Sequence, residues 1–198
     1  MKQEPRFHEL ILASGSTARR QLLERLGLPF ECHPADIDES PLEDESPEAM
    51  VQRLSLAKAG VIARQLPASW VIGSDQAAVS DGHTSGKPGT VERARAALAE
   101  NSGGEVEFLT GLALVHRESA FSAYLLDRTV VRFRTLDPGE IARYVDMDQP
   151  LDCAGSFRVE SLGPSLFEEV RSLDPTALMG LPLIGLCRLL REAGFTIP

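Results

Sequence analysis

The sequence predicts an α/β protein, mixed α+β in its middle, around one mixed sheet. Apolar strand-like runs alternate with helical patterns early in the chain. Two long β-patterned runs, 106–116 and 121–136, then follow each other as a hairpin or meander. No linker, repeat or low-complexity tract interrupts the 198 residues, so 1–198 reads as one domain or two closely joined lobes.

Each element has a local cause. Leu10 to Ala13 is a buried strand. Thr17 to Leu26 is a helix with Leu22, Leu23 and Leu26 on one face, and Gly27 suits its C-terminal cap. Phe30 to Pro34 is expected as a second strand, followed by the acidic loop ADIDESPLEDES. Ser46 caps a long helix, with Pro47 at its first position, running to about Leu66. Trp70 to Asp75 reads as a central strand that continues extended through Ala77 to Ser80 and turns at Asp81-Gly82. Thr90 caps a helix through Glu100, and Asp137-Pro138-Gly139-Glu140 forms a capping box that starts another. The segment CAGSFRVESLG is irregular, and Leu183 to Glu192 is a C-terminal helix closed by Gly194.

Composition removes several functional classes. No apolar run is long enough to span a bilayer. The N-terminal MKQEPRFHEL lacks the apolar core of a secretory signal. The net charge of −9 disfavours a nucleic-acid polymer as partner. Cys32, Cys153 and Cys187 are far apart and odd in number, as expected of structural thiols in a reducing cytoplasm. His8, His33, His83 and His116 have no metal-ligand spacing, so any metal site is oxygen-based. Trp70 is expected in the core.

Against this acidic background, cations at one place are informative. Ser14-Gly15-Ser16 stands where a strand hands over to a helix, whose first-turn N–H groups and dipole favour an anion. Arg19 and Arg20 fall in that first turn, the wrong end for a cation unless a polyanion binds there. Taken alone, the stretch is better described as an N-cap serine beside two solvated arginines. Asp75 ends an apolar strand, where α/β sheets place reactive groups. Asp38 and Glu39 offer further carboxylates, and Lys58 and Lys87 further cations. Carboxylates, cations and a helix N-terminus together suit cleavage of a nucleotide phosphoanhydride.

In order along the chain, LILASGSTARRQLL, IDES, Leu56-Ala57-Lys58-Ala59, VIGSDQ and GKP resemble the Maf family of nucleotide pyrophosphatases. The resemblance spans nearly the whole chain. It implies an elongated ITPase-like fold with a long sheet between two lobes, and a house-cleaning hydrolase that splits a nucleoside triphosphate into monophosphate and pyrophosphate. It also implies a divalent cation such as Mg²⁺ or Mn²⁺, a cytoplasmic setting and a homodimer. On it, Asp75 is general base or metal carboxylate, with Glu39 as a second metal ligand. Lys58 and Lys87 join them as catalytic residues, and Ser14, Ser16, Arg19 and Arg20 surround the phosphates.

Gln76 after the aspartate, and CAGSFRVES from Cys153 to Ser161, resemble the branch that acts on 7-methyl-GTP. Glu160 can accept from guanine N1–H and its amino group together. Phe157 offers an aromatic face to a cationic base, or is a core residue. Ala18 and Thr17 depart from the family's usual residues at the nucleotide. A branch acting on dTTP or UTP, and a nucleotide-binding regulator of cell division, are the alternatives.

Overall fold

The computed structural model describes residues 9–80 and 82–197. The N-terminal MKQEPRFH with His8, and the Asp81 half of the expected turn, lie outside them. The element order is β1 (Leu10–Leu12), α1 (Thr17–Glu24), β2 (Glu31–Cys32), α2 (Pro47–Gln65), β3 (Trp70–Ser80), β4 (His83–Ser85), α3 (Val91–Asn101), β5 (Glu105–His116), β6 (Phe121–Phe133), α4 (Pro138–Asp148), β7 (Phe167–Ser172) and α5 (Leu183–Glu192). Single turns of 3₁₀ helix lie at Ala154–Ser156, Gly163–Leu166 and Ala177–Met179.

The sheet is mixed, in the order β2-β1-β3-β5-β6-β7, with β4 pairing on β3. β1 runs parallel to both β2 and β3, and the other pairs are antiparallel. Asp75 stands opposite Gly111, and Gln76 opposite Thr110.

β3 is covered on both faces, and alternation assigns its side chains. Val71 and Ala77 pack with the α2 side, where Ala59, Ile62 and Val51 lie. Gly73 and Asp75 share that face. A Cβ on Gly73 would stand 2.2 Å from Ser55 O and 2.7 Å from Ala59 N, so the missing side chain lets the α2 backbone sit directly on the strand. Gly111 extends the slot, its Cβ position lying 2.5 Å from Ser55 Oγ.

The opposite face divides into three zones. Trp70 and Ile72 join Leu112 and Leu114 under α1 and α5. Ala78 joins Phe108, Val131 and Phe133 under α3 and α4. Between them lies a polar seam of Ser74, Gln76 and Thr110, covered by the 177–180 turn. Trp70 is a core residue, stacked on His116 at 4.5 Å.

The caps at Ser46, Thr90 and Asp137 form as expected. The structure corrects other expectations. The strand over 30–34 shrinks to Glu31–Cys32 at the sheet edge. The strand over 121–136 stops at Phe133 after a bulge. The Asp137 capping box is half made, because Glu140 pairs with Arg134 instead. β4 and β7 are additional; β7 lacks apolar alternation and is held by ion pairs from Glu168 and Glu169 to Arg132 and from Arg171 to Glu105. No helix among the described residues is long and apolar enough to cross a membrane.

Candidate active site

A cleft of about 1070 Å³ opens between the α1 N-terminus, α2, the middle of β3 and the irregular 152–161 segment. That is room for a nucleotide, at the upper end of ordinary ligand pockets. Its floor is an ion cluster. Lys58 follows Ser55 by one helical turn, so the glycine slot that seats Ser55 also lowers Lys58 onto Asp75. The Lys58 ammonium lies 2.6 Å from Asp75 Oδ1 and 2.7 Å from Glu39 Oε1. Lys58 and Asp75 are each only 7% exposed, so each needs the other to offset the cost of leaving water.

Glu39 reaches the cluster from the acidic loop, which is fastened to α2. Arg53 grips Glu45 with two bonds of 2.6 and 2.7 Å and donates to Ser40 O at 3.0 Å. Asp38 is spent on the loop itself, accepting from Ser40 N at 2.9 Å, and does not enter the cleft. Burial alone would raise the Glu39 pKa. The Lys58 hydrogen bond, with the charges of Lys58, Lys87 and Arg19, outweighs it and holds the carboxyl below its usual value.

Arg19 is half-buried in the cleft wall. Its Nε donates to Gly180 O at 2.8 Å, and a longer contact of 3.5 Å reaches Ser14 Oγ. Burial lowers its pKa, while Asp75 and Glu39 favour its charge. Ser16 is the N-cap of α1, accepting from Arg19 N at 3.3 Å, and Ser14 Oγ accepts from Ser16 N. Thus Ser16 caps the helix while Arg19 lies in the cleft wall. Arg20 is the exception to the expected set. It pairs with Glu24 one turn on, at 3.0 Å, and borders an adjoining recess of about 450 Å³ that shares Ser14 to Thr17 with the cleft. Two successive helical residues point about 100° apart, so the two arginines leave the helix on different sides.

Ala18 and exposed Lys87 also line the cleft. Gln76 lines it too, but its amide N–H groups are directed to Thr110 Oγ1, Ala177 O and Leu178 O, at 2.9 to 3.2 Å. Phe157 is a core aromatic at the cleft margin. It is 4% exposed and packs edge-on with Phe108, Phe133 and Phe167, so no open ring face is offered. Glu160 is exposed on the same segment.

Sequence reasoning missed two parts. Arg158, paired with Asp152 at 2.8 Å, contributes a cation at the cleft edge. The 177–180 turn supplies carbonyls to Arg19 and Gln76; the bracketing Asp174-Pro175 and Gly180-Leu181-Pro182 were a legible turn signal. Beside Arg158, burial pushes the Cys153 thiol up to about 11, so it is no nucleophile at neutral pH.

Among the described residues no three His, Cys, Asp or Glu side chains converge as a metal cage. Asp75 and Glu39 do converge on one cationic point. A pair of carboxylates fits Mg²⁺ or Mn²⁺, which completes its oxygen shell with phosphate and water.

The family described as "Maf-like protein" matches residues 9–193. A protein of Xanthomonas oryzae named 7-methyl-GTP pyrophosphatase is 53% identical over 96% of this chain and 98% of its own. A protein of the same name from Pseudomonas aeruginosa is 52% identical over 96% and 99%. The solved Ham1 protein of Staphylococcus aureus aligns with TM-score 0.53 over 94% of this chain and 100% of its own, at 11% identity, a likeness of fold alone.

Proposed function

The chain belongs to the Maf family, and on that premise we propose that it hydrolyses 7-methyl-GTP to 7-methyl-GMP and pyrophosphate. The observation that carries the chemistry is the Asp75–Lys58–Glu39 cluster, two carboxylates on one buried ammonium at the floor of a nucleotide-sized cleft.

The reaction is attack of water on the α-phosphorus, with pyrophosphate leaving. Arg19 and Lys87 place positive charge at the cleft for the triphosphate, and the α1 N-terminus adds unpaired amides and its dipole. Ser14 supplies a hydroxyl beside Arg19. Asp75 and Glu39 are the residues to hold a divalent cation, which supplies charge neutralisation for the leaving pyrophosphate when bound. Asp75 also orients the attacking water and accepts its proton, and Lys58 holds its carboxylate in place. Ala18, with no polar side chain, leaves the first helical turn open to the phosphates.

Glu160 reads the base. One carboxylate accepts from N1–H and the amino group of guanine, and its charge suits the cationic 7-methyl ring. Phe157 shapes this end through packing, and Gln76 acts through the turn it holds. The main apolar clusters share β3 and β5, which supports reading 1–198 as one domain with two lobes. Three free cysteines support a reducing, cytoplasmic setting. A homodimer is part of the same reading, and sedimentation of the purified chain measures it.

The test is pyrophosphate release with Mg²⁺ or Mn²⁺ from 7-methyl-GTP, GTP, dTTP, UTP, CTP and ITP. Preference for 7-methyl-GTP supports the reading. Preference for dTTP or UTP keeps the reaction and overturns the base assignment. Bound nucleotide without turnover replaces the enzyme with a nucleotide-binding regulator.

A further inference from the structure

Asp174 lies outside the cleft lining, is 3% exposed, and uses both of its carboxylate oxygens. Oδ1 accepts from Thr176 N at 3.0 Å and from the Thr176 hydroxyl at 2.7 Å. Oδ2 accepts from Ile184 N at 2.6 Å and Gly185 N at 3.4 Å. The residue before α5 is Pro182, which has no capping side chain, so Asp174 caps this helix from ten residues away. Thr176 closes the loop by accepting from Leu183 N at 2.8 Å. One carboxylate therefore clamps both ends of the 176–184 segment.

That segment carries the turn over the polar seam of the sheet. Gly180 O accepts from Arg19 Nε and from Ser74 Oγ, each at 2.8 Å. Ala177 O accepts from Gln76 and Thr110. Gly180 has φ +95°, and a Cβ there would stand 3.0 Å from Arg19 Nε, so the carbonyl approaches the guanidinium only because the residue is glycine. A guanidinium holding a carbonyl through Nε has its remaining N–H groups directed by that bond. The segment thus sets where Arg19 points.

We propose that Asp174 is a positioning residue for the phosphate-binding arginine, acting through the clamped turn and Gly180 O. The proposal rests on the reading of Arg19 as a phosphate ligand. A purely structural Asp174 would weaken the enzyme equally whether or not Arg19 is present. A double-mutant cycle separates the two roles. Asp174→Asn is isosteric and puts an NH₂ against one of the two sets of donors. We expect it to lower kcat/KM for 7-methyl-GTP about tenfold in the wild-type background and less than about twofold in Arg19→Ala, a coupling of ordinary size for residues in one network. The melting temperature should fall equally in both backgrounds. Equal activity losses in the two backgrounds would overturn the proposal, as would an unaffected Asp174→Asn enzyme. An Arg19→Ala single variant with unchanged kcat/KM would sink the reading of Arg19 itself. If Asp174→Asn does not fold, Thr176→Val enters the same cycle with the same expected pattern.

Discussion

Lys58, Asp75 and Glu39 at the cleft floor, and Phe157, Arg158 and Glu160 on the 152–161 segment, are positioned by different means. Under Lys58 and Asp75 the backbone is regular. A nineteen-residue helix lies on an eleven-residue strand at a contact that only glycine permits, and the charges are paired at 2.6 and 2.7 Å. On the segment the backbone is irregular, with Gly155 at φ +75° and Ser156 at φ +61°, and Glu160 stands exposed. Phe157 anchors it through edge contacts with three phenylalanines, Ala154 and Val159 pack on the same core, and Arg158 N donates to the Tyr144 hydroxyl at 3.0 Å. Lys58 and Asp75 are thus fixed by helix-on-strand packing, whereas Glu39 reaches them from a loop tied to α2 and Glu160 projects from a loop of its own. Phosphate cleavage needs charge aimed before reaction, whereas recognition of a base tolerates adjustment on binding.

This contrast can be broken at several points. The largest effect is expected for Asp75→Asn, which should reduce kcat by about 10²- to 10⁴-fold, the range for loss of a positioned acid or base. Far-UV circular dichroism should be unchanged, since the amide keeps the carboxylate's shape. Near-normal turnover would remove Asp75 from the mechanism.

Gly73→Ala tests the seating of the floor. Its Cβ would overlap Ser55 O, so the helix must shift, at a cost of about 1–3 kcal/mol and a melting temperature several degrees lower. Activity should fall as well, because Lys58 and Asp75 separate. By contrast, Glu160→Gln should leave stability unchanged and shrink the preference for 7-methyl-GTP over UTP by about tenfold, the worth of one charge-assisted hydrogen bond. Measured kcat/KM ratios that do not move would rule out Glu160 as the base reader.

Glu39 gives a pH signature. Its carboxyl is held below the usual value in the folded chain, so its contribution is complete above the unfolded pKa of about 4.3 and is lost as pH falls through the folded pKa. The difference in melting temperature between wild type and Glu39→Gln should therefore close in acid. The smallest effect is expected for Tyr124→Phe. The Tyr124 hydroxyl is buried without a protein partner, and burial pushes its pKa up to about 12. Removing it should leave stability unchanged or raise it by up to about 1 kcal/mol, read by denaturant unfolding.

Local patterns made most of the fold legible. Ser46-Pro47, Thr90 and Asp137 mark helix starts because capping depends on a few adjacent residues, and the apolar run from Trp70 can only be a strand covered on both faces. Polar edge strands were not legible: β7 has no apolar face to produce alternation, and its partners are ion pairs on another strand. Among site residues, separated motifs gave the cast of Ser14, Arg19, Glu39, Lys58, Asp75 and Lys87, all of which line one cleft.

By itself, then, the sequence determined residue types, helix starts and the family to which the chain belongs, since these follow from neighbours along the chain and from motif order. Only the tertiary structure decided that Arg19 faces the cleft and Arg20 solvent, that Phe157 belongs to the aromatic core, that Gln76 holds a turn, and that Asp174 clamps it. For Arg19 and Gln76 the deciding partner is a carbonyl of the 177–180 turn, more than 100 residues away along the chain, and local spacing carries no record of that distance.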